Sequence, residues 1–365
     1  MVYFIVIFIC IPYLMLISVF IRGWMKMPNY NCTCLKHSDS FIFTSVIVAC
    51  KNEDICLPKL IECIVRQRFT NFELILVNDN SVDSTRAIMI DASLKYSNVK
   101  YKDSRGFGKK NAIREGIEIA TGNFIVTTDA DCNMSPEWLN TIVSYQSKYN
   151  CDLIICPVIL SKDTSLFTKL QYLEFVTLVA SGAGASGNNM PIMCNGANLA
   201  FKKNAWVESQ ADLREDILSG DDVFLLQSIK KRKGTTRFLK SVNAIVVAKH
   251  SKSIGEFITQ RQRWASKSTA YTDWHLIFTS CVVFSISLLI LILFSSSFVS
   301  IKYFFLLCYV VLFKYLVDLF FIYKIQLFFK IEKPIVYSLM LSAFHPFYIV
   351  FISFSSLFTR NIKWK

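Results

Sequence analysis

The chain has 365 residues, a formal net charge of +13, a hydrophobic content of 53% and a mean hydropathy of +0.39. These values exclude a purely soluble protein, and the length allows one large domain or two ordinary ones. The positive charge could indicate a nucleic-acid partner, but the sequence shows no zinc-finger spacing, aromatic ribonucleoprotein motif or helix-turn-helix pattern. We therefore expect no nucleic acid, and we take anionic lipid headgroups as the partner of the basic residues.

An uncharged apolar segment begins the chain. Residues 1–21 carry no charged side chain, and Arg22 and Lys26 follow them. This length is enough to cross a hydrocarbon core of about 30 Å. A cleaved signal peptide is the alternative, but the sequence lacks basic residues before the apolar run and a small-residue cleavage site after it. The sequence predicts an uncleaved transmembrane anchor at residues 1–22.

Residues 23–252 have the composition of a soluble domain in which predicted strands alternate with predicted helices. The predicted strands are 45–50, 72–77, 99–102, the run from 124 into 131, and 153–157, and the predicted helices are 55–67, 83–96, 109–120 and one with Ser135 as its N-cap. This alternation implies an α/β fold with a parallel sheet wound on both faces. Ligands of such sheets bind beyond the carboxyl ends of the strands.

Polar side chains occur at that predicted edge: Asn52, Glu53, Asp79, Asp129 and Asp131. Positions i and i+2 of a continuing strand share a face, so Asp129 and Asp131 are predicted to hold one divalent ion, Mg²⁺ or Mn²⁺, which would in turn hold a diphosphate. Two solvated turn acids are the alternative interpretation. The first strand is not followed by Gly-x-Gly-x-x-Gly and no phosphate loop occurs, which argues against dinucleotide redox chemistry and nucleoside triphosphate hydrolysis.

Residues 253–272 predict an amphipathic helix at the membrane surface. Gln260, Arg263 and Trp264 lie at positions i, i+3 and i+4, so they are neighbours on one surface of this helix. A separate apolar arc of the same helix is formed by Ile254, Phe257, Ile258 and Ala265. Arg261 falls inside this arc, and we expect its side chain to snorkel to water.

Residues 275–359 predict three transmembrane helices. The second of them contains Lys314 and Asp318, four residues apart, which predicts a pair facing the interior of the bundle. Such a pair either fixes helix packing or, with His345 beside Pro346, lines the route of an acceptor.

The distribution of basic residues predicts the orientation in the membrane. Arg22, Lys26, Lys36 and the run from Lys230 to Lys233 lie in or beside the soluble domain, so the positive-inside rule makes this domain the cytoplasmic part of a multi-pass cell-membrane protein. The basic residues at the C-terminus disagree with this orientation: Arg360, Lys363 and Lys365.

Twelve cysteines are scattered without a regular framework, as expected in a reducing compartment. Cys32, Cys34 and His37 form one cluster of metal-ligand types. Because no fourth ligand lies nearby, we do not predict a structural zinc site there.

A succession of short motifs resembles those of the family 2 glycosyltransferases. In chain order they are Val46–Glu53, Val77–Asp83, Gly108-Lys109, Thr128–Asp131, Gly220–Asp222 and Gln260–Trp264. The likeness is closest to the membrane-integrated synthases, among them cellulose, hyaluronan and poly-N-acetylglucosamine synthases and ceramide glucosyltransferase. The resemblance implies a GT-A fold, which is Rossmann-like with a mostly parallel sheet, together with one N-terminal and about three C-terminal transmembrane helices.

The resemblance also implies a nucleotide-sugar site. Asp79 would contact the uracil of a UDP-sugar, with Asn52 and Glu53 beside it. Lys109 would lie near the diphosphate. For each residue a plain structural role in a turn or at a helix start is the alternative.

The metal and the catalytic base are implied in the same way. Asp129 and Asp131 would lie at the phosphates, with Asp131 as the more direct metal ligand. Asp222 would be the general base, because an attacking hydroxyl must lose its proton as the bond forms. Asp221 stands where glutamate is common in the family and keeps the charge with a shorter reach.

Acceptor contacts are implied at two segments. The Gln260–Trp264 motif would stabilise the departing diphosphate and stack on the acceptor sugar. Asn195 and Gly196 resemble the acceptor-side segment that precedes the base. The glycines between residues 182 and 187 suggest a mobile loop just upstream of them.

The sequence thus predicts a membrane-bound inverting glycosyltransferase that transfers a hexose or N-acetylhexosamine from a UDP-sugar to a growing polysaccharide. Its further predicted partners are membrane lipids and export proteins. A lipid acceptor of ceramide, diacylglycerol or polyprenyl type is the first alternative. A non-catalytic membrane scaffold is the second, although such a protein would be expected to lose the acidic residues that this chain retains. A nucleotidyltransferase would share the sheet and metal but has no reason to carry the Gln260–Trp264 motif.

Overall fold

A computed structural model describes residues 2–31, 42–214 and 220–358. The Cys32, Cys34 and His37 cluster and the basic C-terminal residues lie outside this part of the chain. The chain divides into two units. We call the unit of residues 28–161 and 193–249 the sheet unit, and the unit of residues 1–27, 162–192 and 250–362 the helical unit.

The sheet unit is built around a mostly parallel sheet. Its strands within the described residues are β1 (Thr44–Cys50), β2 (Phe72–Asn78), β3 (Val99–Asp103), β4 (Phe124–Asp129), β5 (Asn133–Met134), β6 (Leu153–Ile155), β7 (Val158–Leu160), β8 (Asn198–Lys202), β9 (Thr236–Phe238) and β10 (Val246–Ala248). The larger sheet has the order β3-β2-β1-β4-β8-β6-β9, and β5-β10-β7 form a smaller one. Strand β8 is antiparallel to both of its neighbours.

The parallel part of the larger sheet positions the candidate site. Every residue of β1 and β2 is buried, as expected for parallel strands that are covered on both faces. Cys50 pairs with Asn78, and Ala49 pairs with Asp129. Asn78 in turn pairs with Asp103. The carboxyl ends of these four strands therefore finish at the same level.

The helices of the sheet unit fill the connections between strands. They are α2 (Leu57–Val65), α3 (Thr85–Lys95), α4 (Lys109–Ile119), α5 (Trp138–Tyr149), α7 (Lys203–Ser209) and α8 (Asp221–Lys231), with short 3₁₀ turns at Gln210–Asp212 and Val242–Ala244. The predicted N-cap role of Ser135 is wrong, because α5 begins after Glu137. The Ser135 hydroxyl instead donates to the Asn243 carbonyl at 2.9 Å, and its own carbonyl accepts from the Trp138 N–H in a turn before the helix.

The helical unit contains α1 (Val2–Lys26), α6 (Leu166–Gly187), α9 (Ile254–Ala265), α10 (Trp274–Ser297), α11 (Ile301–Phe329) and α12 (Pro334–Phe358), with a 3₁₀ turn at Ser268–Ala270. Within the described part of the chain, four helices are long and apolar enough to span a membrane: α1, α10, α11 and most of α12. This confirms the predicted set of one N-terminal and three C-terminal apolar helices.

The predicted mobile loop at residues 182–187 is wrong, because these residues belong to α6 and most of them are buried. A Cβ atom at Gly184 would overlap the Phe20 carbonyl, and one at Gly187 would overlap the carbonyl of Gly23. Helices α1 and α6 therefore pack backbone against backbone, an arrangement that small residues permit between apolar helices. The Asn188 side chain reinforces the contact by donating to the Val19 carbonyl at 2.7 Å.

The ion pair predicted inside α11 is present and has a third member. Lys314, whose side chain is 4% exposed, lies 2.5 Å from Asp318. The hydroxyl of Tyr13 on α1 donates to the other oxygen of Asp318 at 2.5 Å. Asp318 thus joins two apolar helices of the helical unit, which favours a packing role for the pair.

Replacing Lys314 and Asp318 together with leucine should leave activity close to wild type, because an apolar pair can substitute for a buried ion pair with little loss. Each single leucine variant should be far less stable, since it leaves one charge in an apolar span at a cost of several kcal/mol. Thermal unfolding and transfer activity of the purified, inserted variants measure both effects. Normal donor hydrolysis with lost transfer in the double variant would instead support an acceptor route.

Candidate active site

Asp79 anchors the edge formed by the carboxyl ends of the strands. It follows β2 directly and is 0% exposed. One carboxylate oxygen accepts a hydrogen bond from the Gly108 N–H at 2.9 Å, while the Lys51 ammonium lies 3.6 Å from the other. That second oxygen makes no hydrogen bond within the described residues. This buried oxygen therefore has the Lys51 ammonium as its charged neighbour.

The loops after β1 and β2 are joined by side chain to backbone hydrogen bonds. The side-chain oxygen of Asn52 accepts from the Val82 N–H at 2.9 Å, and the Glu53 N–H donates to the Thr85 hydroxyl at 2.7 Å. Asn52 has a φ of 54°, in the left-handed region that asparagine tolerates better than most residues. Asn52 therefore shapes this edge of the sheet in addition to any contact with a ligand.

The two acids after β4 are positioned differently from the sequence prediction. The strand ends at Asp129, and Asp131 lies in a turn that is closed by the Cys132 N–H donating to the Asp129 carbonyl at 3.2 Å. The two residues therefore do not share the face of a continuing strand. Burial raises the pKa of the Cys132 thiol well above its usual range, and the charges of Asp129 and Asp131 raise it further. Both carboxylates thus lie close enough to this thiol to act on its pKa, and the thiol sulfur is 4.0 Å from an Asp131 oxygen.

These carboxylates fit a hard divalent ion in part. No group of three or more His, Cys, Asp or Glu side chains that could hold a metal occurs within the described residues. Two carboxylates supply the oxygen ligands that Mg²⁺ and Mn²⁺ prefer, and the remaining ligands would come from a bound phosphate and water. Asp129 is at present paired with the ammonium of Lys109, the first residue of α4.

Asp222 lies in the first turn of α8, where two backbone groups orient its carboxylate. One oxygen accepts from the Gly196 N–H at 2.9 Å and the other from the Val223 N–H at 2.8 Å. The Gly196 carbonyl accepts from the Thr127 hydroxyl of β4 at 2.8 Å. The structure therefore brings Gly196 and Asp222 together and ties both to β4, the strand that ends in Asp129.

The neighbouring acid, Asp221, faces a lysine of α4. Its carboxylate lies 3.5 Å from the ammonium of Lys110, which also donates to the Arg214 carbonyl at 2.6 Å. Asn195 accepts from the Ala197 N–H at 3.0 Å within its own turn. Asp221 and Asp222 are thus held by different partners, which suits different roles.

The Gln260–Trp264 motif lies on α9 of the helical unit, and the expected snorkelling of Arg261 is wrong. Arg261 is 3% exposed and forms a two-point ion pair with Glu174 of α6. The hydroxyl of Tyr348 on α12 also contacts Glu174, at 3.4 Å. The guanidinium carbon lies 4.2 Å from the centre of the Trp264 ring. The sequence predicted that the Arg261 guanidinium reaches water. Inside the helical unit it is instead paired with a carboxylate and lies against an aromatic ring.

Sequence reasoning missed Lys249, which follows β10 in the sheet unit. Val246 pairs with Met134 and Val247 with Asn133 in the antiparallel register of β10 and β5. Lys249 follows the end of β10, and the turn with Asp131 precedes β5, so this pairing brings Lys249 close enough to Asp131 for the carboxylate to raise its pKa. The signal in the sequence is a basic residue directly after a short apolar strand, but only the pairing with β5 reveals its neighbour.

The mostly parallel sheet of the sheet unit belongs to an α/β fold of the GT-A type. Residues 45–206 match the family model described as Glycosyl transferase family 2. This part of the chain is a family 2 glycosyltransferase domain, as the sequence motifs predicted.

Two relatives that are named as sugar transferases match part of this chain. The undecaprenyl-phosphate 4-deoxy-4-formamido-L-arabinose transferase of Shewanella sediminis is 30% identical over 115 residues, which are 30% of this chain and 35% of that protein. The enzyme of the same name from Pectobacterium carotovorum is 29% identical over 148 residues, which are 39% of this chain and 44% of that protein. The chain thus spans less than half the length of these relatives.

The mannosyltransferase PcManGT from Pyrobaculum calidifontis, solved in complex with GDP-Man and Mn²⁺, has a similar fold. The TM-score is 0.63 at 15% identity, over 99% of this chain and 100% of that one. At this identity the likeness concerns the fold, and it confirms the predicted α/β architecture.

Proposed function

We propose that this protein is a membrane-bound inverting glycosyltransferase that transfers a hexose or N-acetylhexosamine from a UDP-sugar. The observation that carries the proposal is the edge of the sheet where Asp79 and Asp129 lie at the carboxyl ends of parallel strands. Asp131 lies in the turn after β4, and Asp222 is linked to β4 through Gly196. A growing polysaccharide is the acceptor predicted from the sequence. A lipid acceptor is the second candidate, favoured by relatives that are named undecaprenyl-phosphate transferases.

The donor nucleotide would bind at the loops after β1 and β2. We assign the contact with uracil to Asp79, with Asn52 and Glu53 beside it. Lys109 would exchange its pairing with Asp129 for the diphosphate. A guanine also presents an N–H donor to such a carboxylate, so the choice of base needs a direct test.

The transfer step needs a base, a leaving group and a fixed geometry. Asp222 would take the proton of the acceptor hydroxyl while its oxygen attacks the anomeric carbon and the bond to the diphosphate breaks, which inverts the configuration and releases UDP. Gly196 holds the carboxylate in position, and Asn195 lies next to it on the acceptor side. A divalent ion, Mg²⁺ or Mn²⁺, held by Asp131 and Asp129 together with the donor, would neutralise the charge of the diphosphate.

The remaining parts of the proposal concern the membrane. We assign stabilisation of the departing diphosphate and contact with the acceptor sugar to Gln260, Arg263 and Trp264. We place the catalytic domain in the cytoplasm, because the basic residues Arg22 and Lys26 follow the first apolar segment. Export partners would be needed for a polymeric product and not for a glycolipid.

Incubation of the purified protein with labelled UDP-glucose, UDP-N-acetylglucosamine and GDP-mannose tests the proposal. Separation of lipid-extractable from polymeric product decides the acceptor. Transfer from a UDP-sugar is the expected result. Absence of transfer and of donor hydrolysis with every donor, in protein that is correctly inserted, would favour the scaffold alternative.

Asp131→Ala should weaken donor binding in the presence of metal and remove most of its metal dependence, because one carboxylate does not easily hold a hard cation against water. Calorimetric titration of UDP with and without Mn²⁺ measures this. Asp91→Ala is the matched control, since this exposed acid on α3 lies outside the proposed site. Unchanged stimulation by Mn²⁺ in Asp131→Ala would show that the ion is held elsewhere.

A further inference from the structure

The acids of the candidate site are accompanied by lysines. Lys51 lies 3.6 Å from Asp79, and Lys109 is paired with Asp129. Lys249 lies close enough to Asp131 and Glu53 for both charges to raise its pKa. These three lysines come from different parts of the chain, after β1, at the start of α4 and after β10.

The ammonium of Lys249 lies beside the segment that follows β1. It contacts the sulfur of Cys56 there. This contact raises the pKa of Lys249, partial burial opposes the shift, and the charges of Asp131 and Glu53 raise it further. The side chain of Lys249 is exposed and therefore accessible to a ligand.

We propose that Lys249 binds the diphosphate of the nucleotide-sugar donor. This inference rests on the proposed function and adds a phosphate-binding residue to it. The diphosphate of a nucleotide sugar brings about two negative charges to an edge that already holds Glu53, Asp79 and Asp131, so cations must offset the repulsion. A lysine ammonium is a compact point charge that suits phosphate oxygens. Lys249 stands on the Asp131 side of the site, whereas Lys109 stands on the side of Asp129.

A purely structural role is the alternative, because oppositely charged residues facing each other on paired strands also stabilise a sheet. The two roles differ in what they predict for ligands. A phosphate-binding residue affects UDP but not uridine, which lacks phosphates. A structural pair affects the stability of the protein. Its loss changes the affinity for both ligands or for neither.

Calorimetric titration of the full-length protein with UDP, GDP and uridine, in the presence of Mn²⁺, tests the inference. Lys249→Met should raise the Kd for UDP about tenfold or more and leave the Kd for uridine unchanged. Lys249→Arg should recover most of the affinity because it keeps the charge. Lys95→Met, which removes an exposed lysine at the end of α3, is the control and should bind UDP like the wild type.

Three outcomes would overturn the inference. Equal affinity of Lys249→Met and wild type for UDP would remove Lys249 from the site while leaving the proposed function intact. A parallel loss of UDP and uridine binding, with a lower melting temperature, would mean a structural role. Failure of the wild type to bind either UDP or GDP would overturn the proposed function and this inference together.

Discussion

Asp222→Asn should abolish transfer, with a loss of about 10²–10⁴-fold in turnover, while the affinity for the donor stays nearly unchanged. Asparagine keeps the shape of the side chain and one oxygen that can accept a hydrogen bond from the Gly196 or Val223 N–H. It cannot take a proton from the acceptor hydroxyl. The base acts on the acceptor, so the donor site formed around Asp79 should be unaffected.

Turnover with saturating donor and a separate titration of UDP distinguish these effects in the Asp222 variant. Asp91→Asn, on the exposed face of α3, is the matched control for loss of one negative charge. Asp221→Asn provides a second comparison, because Asp221 is paired with Lys110 and not with Gly196. Turnover like that of the wild type in Asp222→Asn would contradict the assignment of Asp222 as the base.

The fold and the donor side of the site follow from local patterns. Apolar runs that end in polar residues identify β1, β2 and β4, and parallel packing then brings Asp79 and Asp129 to one edge. This inference needs no knowledge of distant contacts. The position of Asp131 was harder to predict, since the end of a strand and the start of a turn look alike when the next residues are small or polar.

Features that depend on pairing between distant segments could not be predicted. Lys249 lies near Asp131 because β10 pairs with β5, and no local pattern encodes that pairing. The glycines of α6 resemble a loop in the sequence because glycine weakens helices, yet they allow the close approach of α1. Arg261 has a place in the interior only because Glu174, far away in the chain, supplies the opposite charge.

The pair of Arg261 and Glu174 gives the second large effect. Glu174→Leu should destabilise the helical unit by about 3–5 kcal/mol, because it leaves a buried guanidinium without its carboxylate. Glu174 is buried and is also contacted by the Tyr348 hydroxyl. Activity should fall as well, since Arg261 belongs to the same helix as Gln260, Arg263 and Trp264.

Thermal unfolding of the detergent-purified variants, read alongside transfer activity, measures the cost. Tyr348→Phe is the milder comparison, because it removes one hydroxyl and leaves the ion pair in place. Glu174→Leu combined with Arg261→Met should recover most of the stability, since two apolar side chains can replace a buried pair. If the double variant is stable but inactive, the pair positions the Gln260–Trp264 motif in addition to stabilising the unit. If Glu174→Leu melts like the wild type, the buried guanidinium has another partner and the ion pair is not what holds α9 in place.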